Sequence, residues 1–74
     1  MQTAHISSYV AVRVVDLGKY LDHKVRLRVV GGLVREGKLV DIDKGVAVVV
    51  RRYTGALVTV RVPLVQVTTA EVYL

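Results

Sequence analysis

Positive charge stands next to an aromatic ring at Arg51, Arg52 and Tyr53. Guanidinium groups bind phosphates and an aromatic ring can stack on a base, so this combination is typical of contact with single-stranded nucleic acid. The simpler interpretation is the end of a β-hairpin that its charges keep solvated. The residues alone leave both interpretations open, and the three side chains are candidate binding residues.

A second set of cations, Lys24, Arg26 and Arg28, alternates with apolar residues. Alternation with a period of two places the three charges on one face of a β-strand. Such a face could bind phosphates. It could equally keep an exposed strand from pairing with other chains.

The residue sets that catalysis or metal binding would need are missing. The chain has no cysteine. His5 and His23 are isolated, with no second ligand at a zinc spacing, and we expect both to be surface residues. The carboxylates form no recognisable acid/base pair. We therefore predict a protein that is not an enzyme and that has no metal or cofactor.

The overall charge favours an anionic partner. The formal net charge is +5 and the isoelectric point is about 10.0. Nucleic acid is the first class of partner that such a charge suggests, and a membrane surface is the second. The alternative is that the charge serves solubility alone. The lack of Asn and Cys is also the pattern of proteins that avoid heat-labile residues, which suggests a thermophilic source.

The apolar content exceeds what so short a chain can hide. The 74 residues suffice for one domain, yet 53% of them are hydrophobic, and a domain of about this size buries only about 60% of its unfolded surface. The longest apolar run, Val46–Val50, is far shorter than the roughly 20 residues of a spanning helix. Because the N-terminus also lacks a signal-peptide pattern, we expect a soluble, cytoplasmic homo-oligomer that buries its surplus at interfaces.

One short helix is expected before the strands. Asp16 can cap a helix over residues 14–22. Val14, Leu17 and Leu21 then share one apolar face. The preceding run Tyr9–Val15 fits either a strand or the approach to this helix, so residues 1–13 are assigned to an N-terminal extension and residues 14–74 to the domain.

Five short strands follow, separated by glycine-containing turns and by Pro63. They are predicted at Lys24–Val29, Leu33–Ile42, Val46–Arg52, Leu57–Val62 and Leu64–Thr68, and the tail 69–74 could extend the last one. The uniform valine run in the third strand suggests burial on both of its faces. Short strands of this kind predict a small barrel, of SH3-like, OB or Sm architecture.

Glycines and apolar residues in the centre of the chain follow a fixed spacing. Three alternating apolar residues lead to a glycine, a second glycine follows five positions later, and an apolar residue and an aspartate come after it: Val25, Leu27, Val29, Gly32, Gly37, Leu39 and Asp43. Gly32 suits a hairpin turn and Gly37 suits a bend that lets its strand pair in both halves of a barrel. Asp43 can hydrogen-bond the backbone of its own turn.

This pattern resembles the first motif of Sm and Sm-like (LSm) proteins, over roughly residues 14–67. The resemblance implies an all-β fold, a small and strongly bent five-stranded Sm-like (SH3-like) barrel with a short N-terminal helix. It also implies a homo-oligomeric ring of six or seven subunits that binds single-stranded RNA. In such a ring the fourth strand of one subunit pairs with the fifth strand of the next and Arg61 faces the lumen. Asp43 and Lys44 are further candidate RNA-binding residues. The alternatives are an ordinary exposed strand arginine at Arg61, a turn cap at Asp43 and a solvated Lys44.

Two departures from the family pattern affect the nucleotide pocket. Val46 and Ala47 stand where the family usually has Met and Asn, and neither side chain can hydrogen-bond a base. Arg61 is followed by Val62 and Pro63 rather than by glycine. RNA binding on another face, with less specificity, is therefore one expectation. A small-barrel assembly or protein-interaction module without nucleic acid is the alternative, and a PRC-type or other SH3-like barrel is a third possibility.

Overall fold

The computed structural model describes residues 8–74, so His5 lies outside the described residues. The chain order is β1 (Tyr9–Val12), a 3₁₀ helix (Val14–Tyr20), β2 (Lys24–Val29), β3 (Val34–Asp43), β4 (Val46–Tyr53), β5 (Ala56–Pro63), a short 3₁₀ helix (Leu64–Gln66) and β6 (Val67–Tyr73). The strands form one sheet in the order β1-β6-β2-β3-β4-β5, and every neighbouring pair is antiparallel. The predicted all-β class is confirmed.

The sheet has six strands rather than the predicted five, and it is not closed into a barrel by hydrogen bonds. The additional strand is β1, which lies in the stretch assigned to the N-terminal extension. It pairs with the last strand, from Tyr9 opposite Tyr73 to Val12 opposite Ala70, and Val12 packs against the core. Because β1 adds to the side of β6 that faces away from β2, the open edges of the described sheet are β1 and β5.

The helix begins at Val14 as predicted, but it ends at Tyr20 rather than at residue 22, and its N-cap residue differs from the predicted one. It is a 3₁₀ helix whose N-cap position is Arg13, and no side chain caps it. The Asp16 carboxylate instead accepts a hydrogen bond from Arg13 Nε at 3.0 Å and lies 3.5 Å from Lys19 Nζ. The β-branched residues at the start and Gly18 in the middle both disfavour an α-helix. Leu17 is fully buried as predicted, whereas Leu21 lies beyond the helix and is exposed.

The middle of the sheet matches the sequence closely. β2 has the predicted bounds, and β3 pairs with β2 through residues 34–38 and with β4 through residues 38–43. The predicted strand thus pairs with a different neighbour in each of its halves, although the sheet that it belongs to is not closed into the predicted barrel. Its bend depends on Gly37, where a Cβ atom would lie only 2.6 Å from the backbone oxygen of Val50. Leu39 returns to the core as expected, with no exposed surface.

The core lies on the inner face of the sheet and beneath the 3₁₀ helix. Its buried members are Leu17, Val25, Leu27, Val29, Leu39, Ala47, Val49, Val62, Ala70 and Val72. In β4 only Ala47 and Val49 are fully buried, and the valines between them are half-buried. The predicted burial of β4 on both faces is thus complete on one face and partial on the other.

The end of the chain is shifted relative to its prediction. Pro63 ends β5, at a junction as expected. The next residues form a 3₁₀ turn instead of a strand because the Leu64 amide donates to the Gly45 carbonyl at 2.8 Å, which turns the chain back over the β3–β4 hairpin. The final strand β6 consequently begins at Val67 and takes in the tail.

Candidate nucleic-acid interface

The β4–β5 hairpin reaches beyond the rest of the sheet. β3 pairs with β4 only as far as Lys38 opposite Val50, whereas β4 continues to pair with β5 as far as Tyr53 opposite Ala56. All residues from Arg51 to Val58, which we call the distal hairpin, are exposed. The basic and aromatic candidates of β4 therefore lie on a two-stranded projection with no third strand beside it.

A two-residue turn closes the distal hairpin. Thr54 and Gly55 both have positive φ angles, of 47° and 84°, as a type I′ turn requires, and this turn matches the twist of the two strands. The Thr54 hydroxyl donates to the Tyr53 carbonyl at 2.7 Å, and Arg52 Nη1 lies 3.5 Å from the Gly55 carbonyl. The turn is thus held locally, and no packing against the core is needed to form it.

A groove of about 410 Å³ opens where β4 separates from β3. We call it the fork groove. Residues from the start of β2, the first half of β3 and the end of β4 line it: Asp22, Lys24, Glu36, Gly37, Lys38, Val50, Arg51 and Arg52. The missing side chain at Gly37 allows the close approach of β3 to Val50 that forms the corner of the fork.

The charge of the fork groove is predominantly positive. Four of its residues are basic and two are acidic. One of the acids, Glu36, accepts a hydrogen bond from the Tyr9 hydroxyl at 2.7 Å. Within residues 8–74 the ion pairs join Arg13 and Lys19 to Asp16, and Arg26 to Glu71. The four basic groups of the groove take part in none of them, so they can meet an anion without breaking an ion pair.

An aromatic ring lies next to these charges. The Arg51 guanidinium carbon is 6.0 Å from the centre of the Tyr53 ring, and Tyr53 is 61% exposed. A ring in this position can stack on a base while the arginines contact the flanking phosphates. The structure thus brings Arg51, Arg52 and Tyr53 together, as contiguous candidates should be.

The other three candidates lie at the opposite end of β4. Asp43 and Lys44 belong to the β3–β4 turn, which is again of type I′, with positive φ at Lys44 and Gly45. Eight residues of β4 separate this turn from the distal turn, or about 27 Å at the rise of a strand. The predicted residues therefore form two sites rather than one.

Arg61 belongs to the second of these sites. It pairs with Val48, which in turn pairs with Asp41, so Arg61 and Asp41 share the outer face. The contact from Leu64 to Gly45 holds the end of β5 beside the β3–β4 turn. Within residues 8–74 the Asp43 carboxylate accepts no hydrogen bond from its own turn, so the predicted role is not seen. Asp43 is exposed at the end of β3, and Lys44 and Gly45 form the turn with positive φ angles.

Sequence reasoning missed Lys38 and did not connect it with Lys24. These two lysines face each other across β2 and β3, and Lys38 also faces Val50 of β4. The alternation around Lys24 was visible in the sequence. The meeting with Lys38 depends on the register of the β2–β3 hairpin, which the glycine pair at its turn hints at but does not fix.

The other cations of β2 have different surroundings. Arg26 Nε lies 3.0 Å from Glu71 Oε1, and its guanidinium carbon lies 3.9 Å from the centre of the Tyr9 ring. Burial, with the nearby Glu36 carboxylate, raises the pKa of Tyr9 to about 12. Arg26 is therefore engaged within the fold. Of the alternating cations only Lys24 faces the groove, while Arg28 lies exposed further along the strand.

No protein-family model, curated protein or solved structure matches the chain. The resemblance to Sm-like proteins therefore stays a prediction from the motif residues of the sequence. Within residues 8–74, no helix combines the length and the apolar character needed to cross a bilayer. In the same range no three His, Asp or Glu side chains gather into a possible metal site.

Proposed function

We propose that the chain is an Sm-like protein that assembles into a ring of identical subunits and binds single-stranded RNA without catalysing a reaction. In this proposal β2 to β6 are the strongly bent five-stranded barrel of the family, and the 3₁₀ helix is the helix that precedes it. Two observations support this assignment: the glycine spacing around Gly32 and Gly37, and a bent β3 that pairs in both halves of the sheet.

The observation that carries RNA binding is the fork groove. It gathers Lys24, Lys38, Arg51 and Arg52 around one opening, and Tyr53 adjoins Arg51. Phosphate contacts supply most of the sequence-independent affinity for nucleic acids. Stacking on an exposed aromatic ring adds affinity for unpaired bases. The stacking ring favours a single strand over a duplex, because only unpaired bases can stack on it.

The second site, at Asp43, Lys44 and Arg61, contributes charge rather than base recognition. Val46 and Ala47 beside it have no side-chain group that can hydrogen-bond a base edge. Lys44 and Arg61 are both exposed and form no ion pair with any residue of the described chain. We therefore expect weak discrimination between RNA sequences and a strong dependence of affinity on salt.

Ring assembly would account for the apolar surface that one subunit leaves open. Leu57 is 67% exposed and Val58 is 39% exposed on the edge strand β5. An uncovered edge strand with apolar side chains is a template for pairing with another chain. Pairing of β5 with β6 of the next subunit would cover this edge and repeat around a closed ring.

The test of RNA binding is fluorescence anisotropy with labelled oligo-U and oligo-A of about 15 nucleotides, a length within the range that single-strand sites cover. The variant Lys38→Ala/Arg51→Ala/Arg52→Ala removes three charges of the groove. Because each phosphate contact contributes about 0.7 to the slope of log affinity against log salt for single strands, we expect the slope to fall by about 2.

Lys19→Ala is the matched control, because Lys19 lies on the exposed 3₁₀ helix with Asp16 as its partner. It should leave the slope within experimental error of the unmodified protein. The proposed RNA binding is refuted if the unmodified protein does not bind the labelled oligonucleotides at low salt. It is equally refuted if the triple variant binds as the control does.

The alternative is an assembly or interaction module that binds no nucleic acid. The exposed apolar edge of β5 favours it, since this edge suits a protein partner as well as a neighbouring subunit. In this case the assembled protein would carry no RNA, and the triple variant would assemble like the unmodified protein.

A further inference from the structure

The edges of β5 and β6 differ in how far another strand of the same chain covers them. β5 presents an edge of eight residues, Ala56–Pro63, that no other strand of the described chain covers. β6 is covered by β1, but over only four residue pairs, from Tyr9 opposite Tyr73 to Val12 opposite Ala70. The edge of β6 that ring assembly needs is thus already occupied by a short segment of the same chain.

One side chain supplies most of the specific contacts that hold β1 in place. The Tyr9 hydroxyl donates to Glu36 at 2.7 Å, and the Arg26 guanidinium lies over the Tyr9 ring. The ring also meets Tyr73 edge-on, with the ring centres 5.3 Å apart. The inward-facing residues of β1 contribute less, because Val10 is 44% exposed and Val12 is only partly buried against the core.

β5 can replace what β1 supplies to the inner face. Val10 and Val12 of β1 stand opposite Val72 and Ala70 of β6. β5 has Val60 and Val62 at the same two-residue spacing, and both already face the core side of their own sheet. An antiparallel β5 with Val60 opposite Val72 and Val62 opposite Ala70 would continue the inner face of one subunit into the next.

Charge selects this register among the alternatives. A shift of one residue would place inner-face residues on the outer face. A shift of two residues would place Thr59 or Pro63 opposite Glu71, whereas the unshifted register places Arg61 there. Glu71 is already 3.0 Å from Arg26 on its β2 side, and Ala11 of β1 offers it no charge on the other side. Arg61 of a second copy would fill that place, and in the assembled ring Lys44 alone would then supply the positive charge of the second site.

We propose that β1 is an exchangeable cap on β6, which shields the assembly edge in the free subunit and gives way to β5 of a second copy. This inference rests on the proposed ring assembly. It makes assembly depend on concentration, because an intramolecular strand of four residue pairs competes with an intermolecular strand that can form more. Each copy keeps one open β5 edge, so the contacts run head to tail.

The first test locks the cap with a disulfide. The chain has no cysteine of its own, and Tyr9→Cys/Tyr73→Cys places two thiols at directly paired positions. Native mass spectrometry over a dilution series should show single subunits at every concentration for the oxidised protein. The reduced protein, which has lost the Tyr9 contacts, should assemble at a concentration about tenfold lower than the unmodified chain does.

The inference is overturned if the oxidised protein assembles as readily as the reduced one, or if the reduced protein never assembles. Far-ultraviolet circular dichroism of both forms shows whether the sheet is intact. Because oxidation and reduction compare the same polypeptide, a general loss of stability from the two substitutions cannot produce the expected difference.

The second test reads the register directly. Thr59→Cys/Tyr73→Cys places the thiols opposite each other between two copies, and mild oxidation should give a ladder of covalent multimers on a denaturing gel. Thr59→Cys/Thr69→Cys is the control, since Thr69 would stand opposite Pro63 of the neighbour. An absent ladder, or equal ladders from both variants, contradicts the register.

RNA binding is measured separately on the locked single subunit by anisotropy at low salt. No residue of β1 or β6 lines the fork groove, but Tyr9 donates to Glu36 and the Tyr73 ring centre lies 5.9 Å from Lys24 Nζ. The locked protein is therefore compared with its own reduced form, and both should bind RNA. If the oxidised protein still assembles and still binds RNA, only the cap proposal is refuted. If the oxidised protein stays a single subunit but binds no RNA, only the RNA half of the proposed function is refuted.

Discussion

Two arginines on the same side of the molecule have opposite surroundings. Arg26 in the middle of the sheet pairs with Glu71 and lies over the Tyr9 ring. Arg52 on the distal hairpin has only a 3.5 Å approach to the carbonyl of its own turn. The first arginine is committed to holding three strands together, while the second remains available to a ligand. The difference shows that arginine side chains lose their partners within the fold where β4 extends past β3.

The largest expected effect contrasts the core with the distal hairpin. Leu27 has no exposed surface, whereas Leu57 is 67% exposed. Leu27→Ala should lower the free energy of unfolding by about 3 kcal/mol, because it removes transfer energy and leaves a cavity. Leu57→Ala should change it by less than about 0.5 kcal/mol. Urea denaturation measures the free energy of unfolding of both variants, at a protein concentration that keeps the chain monomeric. Equal decreases in the two variants would contradict the distinction between the core and the distal hairpin.

The next prediction concerns the bend of β3 at Gly37, which lies between the core and the distal hairpin. Gly37→Ala would place a Cβ atom 2.6 Å from the Val50 backbone oxygen and 2.8 Å from Val49 Cγ1, and a backbone atom cannot move aside as a side chain does. We expect a loss of about 2 to 3 kcal/mol. Gly18→Ala is the control, with nothing within 4 Å of its Cβ position, and it should be neutral or slightly stabilising. A Gly37 variant as stable as the Gly18 variant would show that the close approach is not required.

The two arginines can be compared directly by substitution. Arg26→Ala should cost about 1 to 2 kcal/mol of unfolding free energy, since it breaks a half-buried ion pair and the contact with Tyr9. Arg52→Ala should leave the unfolding free energy within about 0.5 kcal/mol but weaken RNA binding. Thermal unfolding and anisotropy on the same preparations separate the two effects. The comparison fails if Arg52→Ala destabilises the fold as much as Arg26→Ala does.

The smallest expected effect is a dependence of stability on alkaline pH. The pKa of Tyr9 is raised from 10.0 to about 12 in the folded chain, so the folded state holds the phenol proton more tightly than the unfolded state does. This contribution to stability is fully present below pH 10 and is lost as the pH rises from about 10 to about 12. Urea denaturation through this window should show a drop for the unmodified chain that is smaller in Tyr9→Phe. An equal drop in both would show that Tyr9 is not its source.

The sequence predicts those features that local pattern controls. β2 has the predicted bounds because Lys24–Val29 alternates without interruption, and Gly37 is identified because a glycine inside a strand needs a reason. β1 was missed because its partner strand lies at the far end of the chain, and no turn connects the two. The type of the first helix was missed because weak helix formers and the packing of Leu17 favour a 3₁₀ helix over the α-helix.

The candidate site also combines residues that the local sequence identifies with residues that only the strand register brings together. Arg51, Arg52 and Tyr53 are contiguous, so composition alone identified them. The fork groove depends on where β4 extends past β3, which is a matter of register and of the bulge between Leu39 and Asp41. Lys38 could not be assigned to it without that register. The separation of Asp43 from Arg51 follows from the predicted strand Val46–Arg52, which lies between the turn at Asp43 and the distal hairpin, and the structure places β4 at Val46–Tyr53.

Native mass spectrometry of the purified full chain, before and after nuclease treatment, tests the central claim most directly. The account predicts a closed ring of identical subunits that carries RNA and loses that RNA mass after nuclease treatment while the ring persists. A single subunit at every concentration, with no nucleic acid bound before treatment, would contradict it.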